Sequence, residues 1–135
     1  MQKNIIQFSD KELKDTITFS SFEKRFEQHP IFLYSELKIS VDGFEKKDNI
    51  KIELLDFKIL NEQLKKLNIN ELKQISFCNI DETLGILIQR INNDVKISGH
   101  INNFSHTVKL NFEFDSDLSI INIVSEQIEY ILNRI

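Results

Sequence analysis

The chain has 135 residues, a formal net charge of −4, a single cysteine and no tryptophan. Such a length fits one domain, residues 1–135, that buries a core without disulfide or metal staples. The mild acid excess, with no basic cluster (Lys46-Lys47 and Lys65-Lys66 are short and sit beside acids), argues against the phosphate-neutralising surface of a typical nucleic-acid binder.

In chain order, residues 1–30 read poorly, although Thr16 to Phe22 is rich in β-branched and aromatic side chains and predicts a short strand. Leu33, Leu37, Ile39 and Val41 share one parity while Tyr34, Glu36, Lys38 and Ser40 share the other, which predicts a half-buried strand. Asp42-Gly43 opens a connection that runs to Asp48, and Ile50, Ile52 and Leu54 form the partner strand. Asp56 then stands as the N-cap of a helix over about 56–68, with Phe57, Leu60, Leu64 and Leu67 on one face.

Two strands follow at Gln74–Ile80 and Thr83–Ile91, joined at Asp81-Glu82. The second is apolar on both faces, which predicts a central strand covered above and below. Asn92-Asn93-Asp94 makes a turn. Val95, Ile97, Gly99 and Ile101 alternate in one strand, and Val108, Leu110, Phe112 and Phe114 in the next. Ile121, Val124, Ile128 and Ile131 then recur at helical spacing over 118–134, with Asp117 as N-cap. No internal repeat or domain boundary is evident. The order of elements predicts an α+β fold, a mostly antiparallel meander sheet with two amphipathic helices.

Catalytic and cofactor signatures are missing. There is no glycine-rich phosphate loop, and the aromatics do not interleave with Lys and Arg as a base-stacking platform requires. His100 and His106 flank one turn without a third ligand, a weak zinc signature, and His29 before Pro30 reads as a loop residue. Cys78 reads as a small, partly buried core thiol. The acid pairs Asp81-Glu82, Asp115/Asp117 and Glu126/Glu129 read as turn, capping and solvated helix residues. Gly99, alone inside a strand, marks a bulge or a close backbone approach. No apolar run approaches the ~18–20 residues of a membrane helix, nor the core of a signal peptide. The expectation is a cytoplasmic, non-enzymatic protein with no cofactor, no metal, no nucleic acid and no membrane partner.

Two segments carry a family resemblance. Asn93-Asp94-Val95-Lys96-Ile97-Ser98-Gly99-His100-Ile101 and Leu110-Asn111-Phe112-Glu113-Phe114-Asp115-Ser116-Asp117-Leu118-Ser119-Ile120-Ile121 resemble the WapI family of bacterial immunity proteins. The likeness covers about residues 31–135. The chain departs from the family pattern at Leu118 and Ser119, where members carry Gln then Thr, and at Asn93, near which a Gly is expected. Gly99, Asp117 and Ser119 are structural residues of this motif. The resemblance implies a cytoplasmic antidote that binds a cognate bacterial toxin domain, for which acids facing a basic cleft speed capture. The candidate partner-binding acids are Asp42, Glu45, Asp48, Asp81, Glu82, Glu126 and Glu129. The alternatives are a non-catalytic adaptor, a secretion chaperone or a self-associating domain, and, third, a small hydrolase using Cys78 or the histidines.

Overall fold

A computed structural model describes residues 4–26, 31–102 and 109–135. The first half contributes β1 (Ile5–Ser9), β2 (Thr16–Phe26), β3 (Ile31–Val41) and β4 (Phe44–Glu53), then α1 (Leu54–Asn68). The second half contributes β5 (Gln74–Cys78), β6 (Leu84–Ile91), β7 (Asp94–Asn102) and β8 (Lys109–Asp117), then α2 (Leu118–Leu132). The class is α+β with antiparallel meanders, and the strands divide into two four-stranded sheets, β1-β2-β3-β4 and β5-β6-β7-β8.

Three local expectations are corrected. Strand β1 stands in the stretch that reads poorly, paired with β2 in unbroken register. The β3–β4 connection is a two-residue turn, because Val41 pairs with Phe44. Asp42 and Gly43 take φ of 52° and 76° there, the paired left-handed conformations that let a tight hairpin follow the strand twist. Helix α1 starts at Leu54 with Glu53 at its N-cap, and no side chain caps it. Asp56 sits in the first turn instead, where its charge still suits the helix dipole.

The Asn92-Asn93 turn between β6 and β7 uses Asn92 at φ 58°, a conformation asparagine tolerates. Strand β6 is central in its sheet, but its second apolar face is not covered, since Ile91 is 64% exposed. The link at 103–108, with His106, lies outside the described residues, as does His29.

The fold contains a repeat that the sequence reading misses. From β4 onward the halves correspond at a constant offset, because Asn61 meets Ser125 and Lys65 meets Glu129, each pair 64 residues apart. At that offset the buried positions of α1 (Phe57, Leu60, Asn61, Leu64, Leu67) fall on those of α2 (Ile121, Val124, Ser125, Ile128, Ile131). Leu54, Ile59, Glu62 and Gln63 even recur as Leu118, Ile123, Glu126 and Gln127. Equivalent residues meeting one turn apart means that the helices lie side by side in the same direction, as an approximate two-fold axis along the pair produces.

The halves are interleaved. Helix α2 packs on β1 of the first sheet, and α1 packs on β5 of the second. Phe57 of α1 shows the result: its ring lies 6.4 Å from Phe19 in the first sheet and 6.3 Å from Phe77 in the second. One continuous apolar core therefore contains residues of both sheets and both helices. Inside it, the Ser125 hydroxyl donates to Asn61 Oδ1 at 2.7 Å, so the one polar pair between the buried helix faces is satisfied.

Candidate functional site

The two segments of the family resemblance lie on adjacent strands. Gly99 sits opposite Ile86 on one side and Phe112 on the other, with no break in register on either. It therefore marks a close approach and not a bulge. A Cβ at this position would stand 2.1 Å from the Gly85 carbonyl oxygen and 2.7 Å from Phe112 Cζ. Gly85 serves the opposite face in the same way, since a Cβ there would meet His100 Cε1 at 2.5 Å.

Asp117 caps α2, its Oδ1 accepting the Ile120 N–H at 3.1 Å. The Ser119 hydroxyl donates to the same oxygen at 2.6 Å. That bond, with the Ile120 N–H and the nearby charge of Lys11, holds the Asp117 carboxyl below the usual aspartate range.

The candidate acids fall in three separate places. Asp42, Glu45 and Asp48 belong to the β3–β4 hairpin, where Glu45 already pairs with Lys38 at 3.4 Å and Lys47 at 3.8 Å. Asp48 accepts the Asn49 N–H at 2.8 Å, and the Asp42 N–H donates to the Asp15 carboxylate at 3.1 Å. Asp81 and Glu82 form the β5–β6 turn, with Glu82 at φ 55°. On α2, Glu126 is exposed and Glu129 reaches across to Lys65 of α1. The lysine's hydrogen bond and charge lower the Glu129 carboxyl from its ordinary value.

A different set of acids converges. Asp10 and Glu12 from the β1–β2 loop, Asp94 from the start of β7 and Asp115 from β8 line a cleft of about 520 Å³. Lys11 and Lys96 also line it, and Ile91 is its apolar wall. The carboxylates outnumber the ammonium groups two to one, and Ile91 is free to be covered. The loop is shaped locally: Asp10 Oδ1 accepts the N–H groups of Lys14 at 2.8 Å and Asp15 at 3.3 Å. The floor is fixed because Ser116 donates its hydroxyl to the Ser9 carbonyl at 2.7 Å, tying β8 to β1 across the two sheets. This hydroxyl is buried and committed, so the cleft offers charge and an apolar anchor rather than a nucleophile. Sequence reading misses the site because its residues come from three separated stretches. The signal that points to it is Ile91, a large apolar residue out of step with the buried parity of its strand.

Other groups depart from their sequence-based reading. Cys78 is exposed, not part of the core, because it stands on the outward parity of edge strand β5, opposite the buried Ile75 and Phe77. Desolvation by its surroundings, then the carboxylates of Glu82 and Asp56, push the thiol up, away from the reactive thiolate. Aromatic and basic side chains do interleave, on the outer face of the first sheet, where Arg25 lies 4.2 Å from the Tyr34 ring centroid and Lys51 lies 4.0 Å from that of Phe32. Phe32 is only 7% exposed, so the cations cover the rings rather than leave them open for stacking.

Arg90 is structural. Its Nη1 donates to the carbonyls of Leu67 at 2.7 Å and Asn68 at 2.8 Å, and its Nε donates to Asn92 at 2.6 Å. It thereby caps the carbonyl end of α1 from the second sheet. Among the described residues no group of three or more His, Cys, Asp or Glu is placed to hold a metal ion, and no helix is long and apolar enough to cross a membrane.

No family model matches the chain, and no curated protein does. Solved structures are similar to it. The chain aligns with MRP1/MRP2 of Trypanosoma bruciei at a TM-score of 0.54 and 3% identity, over 96% of this chain and 83% of that one. It aligns with the plant transcriptional regulator PBF-2 at a TM-score of 0.49 and 8% identity, over 98% and 82%. At 3% identity, the likeness to MRP1/MRP2 is one of fold alone, and it extends over both halves of the chain.

Proposed function

We propose that this chain is an immunity protein of the WapI type, which binds a cognate bacterial toxin domain and blocks it stoichiometrically in the cytoplasm without catalysis. The observation that carries the reading is the cleft in which Asp10, Glu12, Asp94 and Asp115 surround Ile91, itself 64% exposed. A basic toxin segment bearing one apolar side chain fits such a surface. The acids draw it in and Ile91 gives the contact an apolar centre. The resemblance supports the same reading, since its two segments lie on β7 and β8, and Asp94 and Asp115 belong to them. Asp42, Glu45, Asp48, Asp81, Glu82, Glu126 and Glu129 take supporting roles at most, as Glu45 and Glu129 already hold lysines.

The test is co-expression with the toxin domain encoded immediately upstream, followed by titration calorimetry of the purified pair. A one-to-one complex and rescue of growth are expected. Asp10→Lys, Glu12→Lys and Asp94→Lys together are expected to slow association by ~10-fold or more at low salt, with the deficit shrinking as salt rises. Failure to bind or neutralise that toxin overturns the proposal. A second reading, a non-catalytic adaptor or self-associating domain, is favoured by the exposed apolar residues Leu55, Ile59 and Ile80 beside α1 and β5.

A further inference from the structure

We infer that the chain forms a two-fold homodimer by antiparallel pairing of β5 with β5 of a second copy. The inference goes beyond the antidote reading and stands or falls without it. The internal repeat provides the comparison that points to it. Strand β1 reads Ile5-Ile6-Gln7-Phe8-Ser9 and β5 reads Gln74-Ile75-Ser76-Phe77-Cys78, with Ile and Phe buried at the same places. Both are edge strands, and each lies under the other half's helix. At β1 the outward N–H of Gln7 is sealed by Gln127 Oε1 at 2.9 Å. The equivalent of Gln127 is Gln63, which lines a groove with Ser76, Phe77 and Cys78. Among the described residues no hydrogen bond joins the side chain of Gln63 to Ser76 or to any other group. The same edge is closed in one half and open in the other.

The open edge has a defined bonding pattern. The Arg90 N–H donates to the Lys73 carbonyl at 2.8 Å and the Asn79 N–H to the Leu84 carbonyl at 3.2 Å, so the odd-numbered residues face β6. The N–H and C=O groups of Gln74, Ser76 and Cys78 therefore point outward. The other edges are guarded: β4 carries Glu45, Lys46, Lys47 and Asp48, and β8 carries Lys109, Glu113 and Asp115. Strand β5 carries no charge and no proline, the unguarded condition that invites another strand.

The occupant is a second copy because the edge is self-complementary. Pairing centred on Ser76 sets Ser76 against Ser76 of the partner subunit, and Gln74 against Cys78 of the partner subunit, with both backbone bonds made in each pair. Lys73 precedes the strand and Asp81-Glu82 follow it. Antiparallel pairing brings each lysine towards the acids at the other chain's end, while Glu71 stays in the turn after α1, its N–H bonded to the Lys66 carbonyl at 2.8 Å. The apolar stripe of Leu55 and Ile59, 58% and 41% exposed, lies on the flank of α1 beside the seam. Two such stripes face each other across the joined sheets.

Sedimentation equilibrium of the full chain from low micromolar to millimolar concentration is expected to give twice the 15.9 kDa chain mass. Ser76→Lys, which sets two charges across the axis, and Ser76→Pro, which removes the outward N–H at an edge position that accommodates proline, are each expected to give the monomer mass with an unchanged far-UV spectrum. Ser76→Cys in a Cys78→Ser background is expected to oxidise to a covalent dimer, since facing residues of such a pair stand ~5.5 Å apart between Cα atoms. The wild-type Cys78 thiols, four residues out of register and roughly 14 Å apart, do not cross-link. A wild-type monomer throughout, a dimer that survives both Ser76 variants, or cross-linking through Cys78 overturns the inference, as does a monomer whose β5 edge takes up an extended peptide of another protein.

Discussion

Replacing Gly99 with alanine puts one methyl group where the structure has no room. The new Cβ would meet the Gly85 carbonyl oxygen at 2.1 Å and Phe112 Cζ at 2.7 Å. A relaxed carbon–oxygen contact lies above 3 Å, so β6 and β7 must part by about 1 Å or the methyl must push the ring aside. Phe112 yields only by disturbing the core, where it is 6% exposed, and the carbonyl is fixed in the strand. Overpacking of this kind costs ~1–3 kcal/mol, and a clash with backbone belongs at the upper end. For 135 residues, 1 kcal/mol corresponds to about 3.5 °C of melting temperature, which gives an expected drop of about 7–10 °C. Scanning calorimetry with urea unfolding at a fixed concentration measures it. Adding Phe112→Leu relieves the ring contact alone, so it is expected to recover less than half. A Gly99→Ala melting point within 2 °C of the wild type, or full rescue by Phe112→Leu, refutes the assignment of the backbone oxygen as the limiting neighbour.

Arg90→Ala removes three charge-assisted bonds to carbonyls at the end of α1 and in the β6–β7 turn, and is expected to cost ~2–4 kcal/mol in urea titrations, with Arg90→Lys recovering under half. Asp117→Ala is expected to lose ~1 kcal/mol at neutral pH. Because the folded Asp117 carboxyl is held low, its stabilisation is complete above the ordinary aspartate range and fades as pH falls through the folded-state value. The deficit of Asp117→Ala therefore shrinks on acidification, which melting curves from neutral pH to pH 2 report. Ser125→Ala leaves Asn61 without its hydroxyl donor and is expected to cost ~1–2 kcal/mol, whereas Ser125→Ala with Asn61→Leu costs less than the two single changes combined. A double-mutant cycle checks this.

Strands β3, β7 and β8 and both helices are legible in the sequence because each alternates or repeats against one continuous core, and that periodicity is local information. Strand β4 is legible only where Ile50 and Ile52 meet the core. Its first half, with Lys46, Lys47 and Asp48, overhangs as a charged edge and resembles a loop. The division into two sheets is not legible, since alternation gives the buried face of a strand and not its neighbour. The repeat is hidden because burial at the shared positions tolerates exchange, as Phe57 for Ile121 and Leu60 for Val124 show. Of the motif, Gly99 and Asp117 are readable because a close approach and a helix cap each demand particular chemistry. The acid-lined cleft and the grip of Arg90 on α1 arise only when distant stretches meet.

The exchange of helices between the halves has a bearing on how the polypeptide is made. Ile6 and Phe8 are made more than a hundred residues before α2, the helix that covers β1. A nascent chain stalled after α1 would hold a finished meander that α1 covers in part, through Phe57 against Phe19, while β1 still lacks the helix that packs on it. The core closes over β1 only through contacts distant in sequence, a topology that slows folding. Until then its uncovered apolar strands are open to association with other chains.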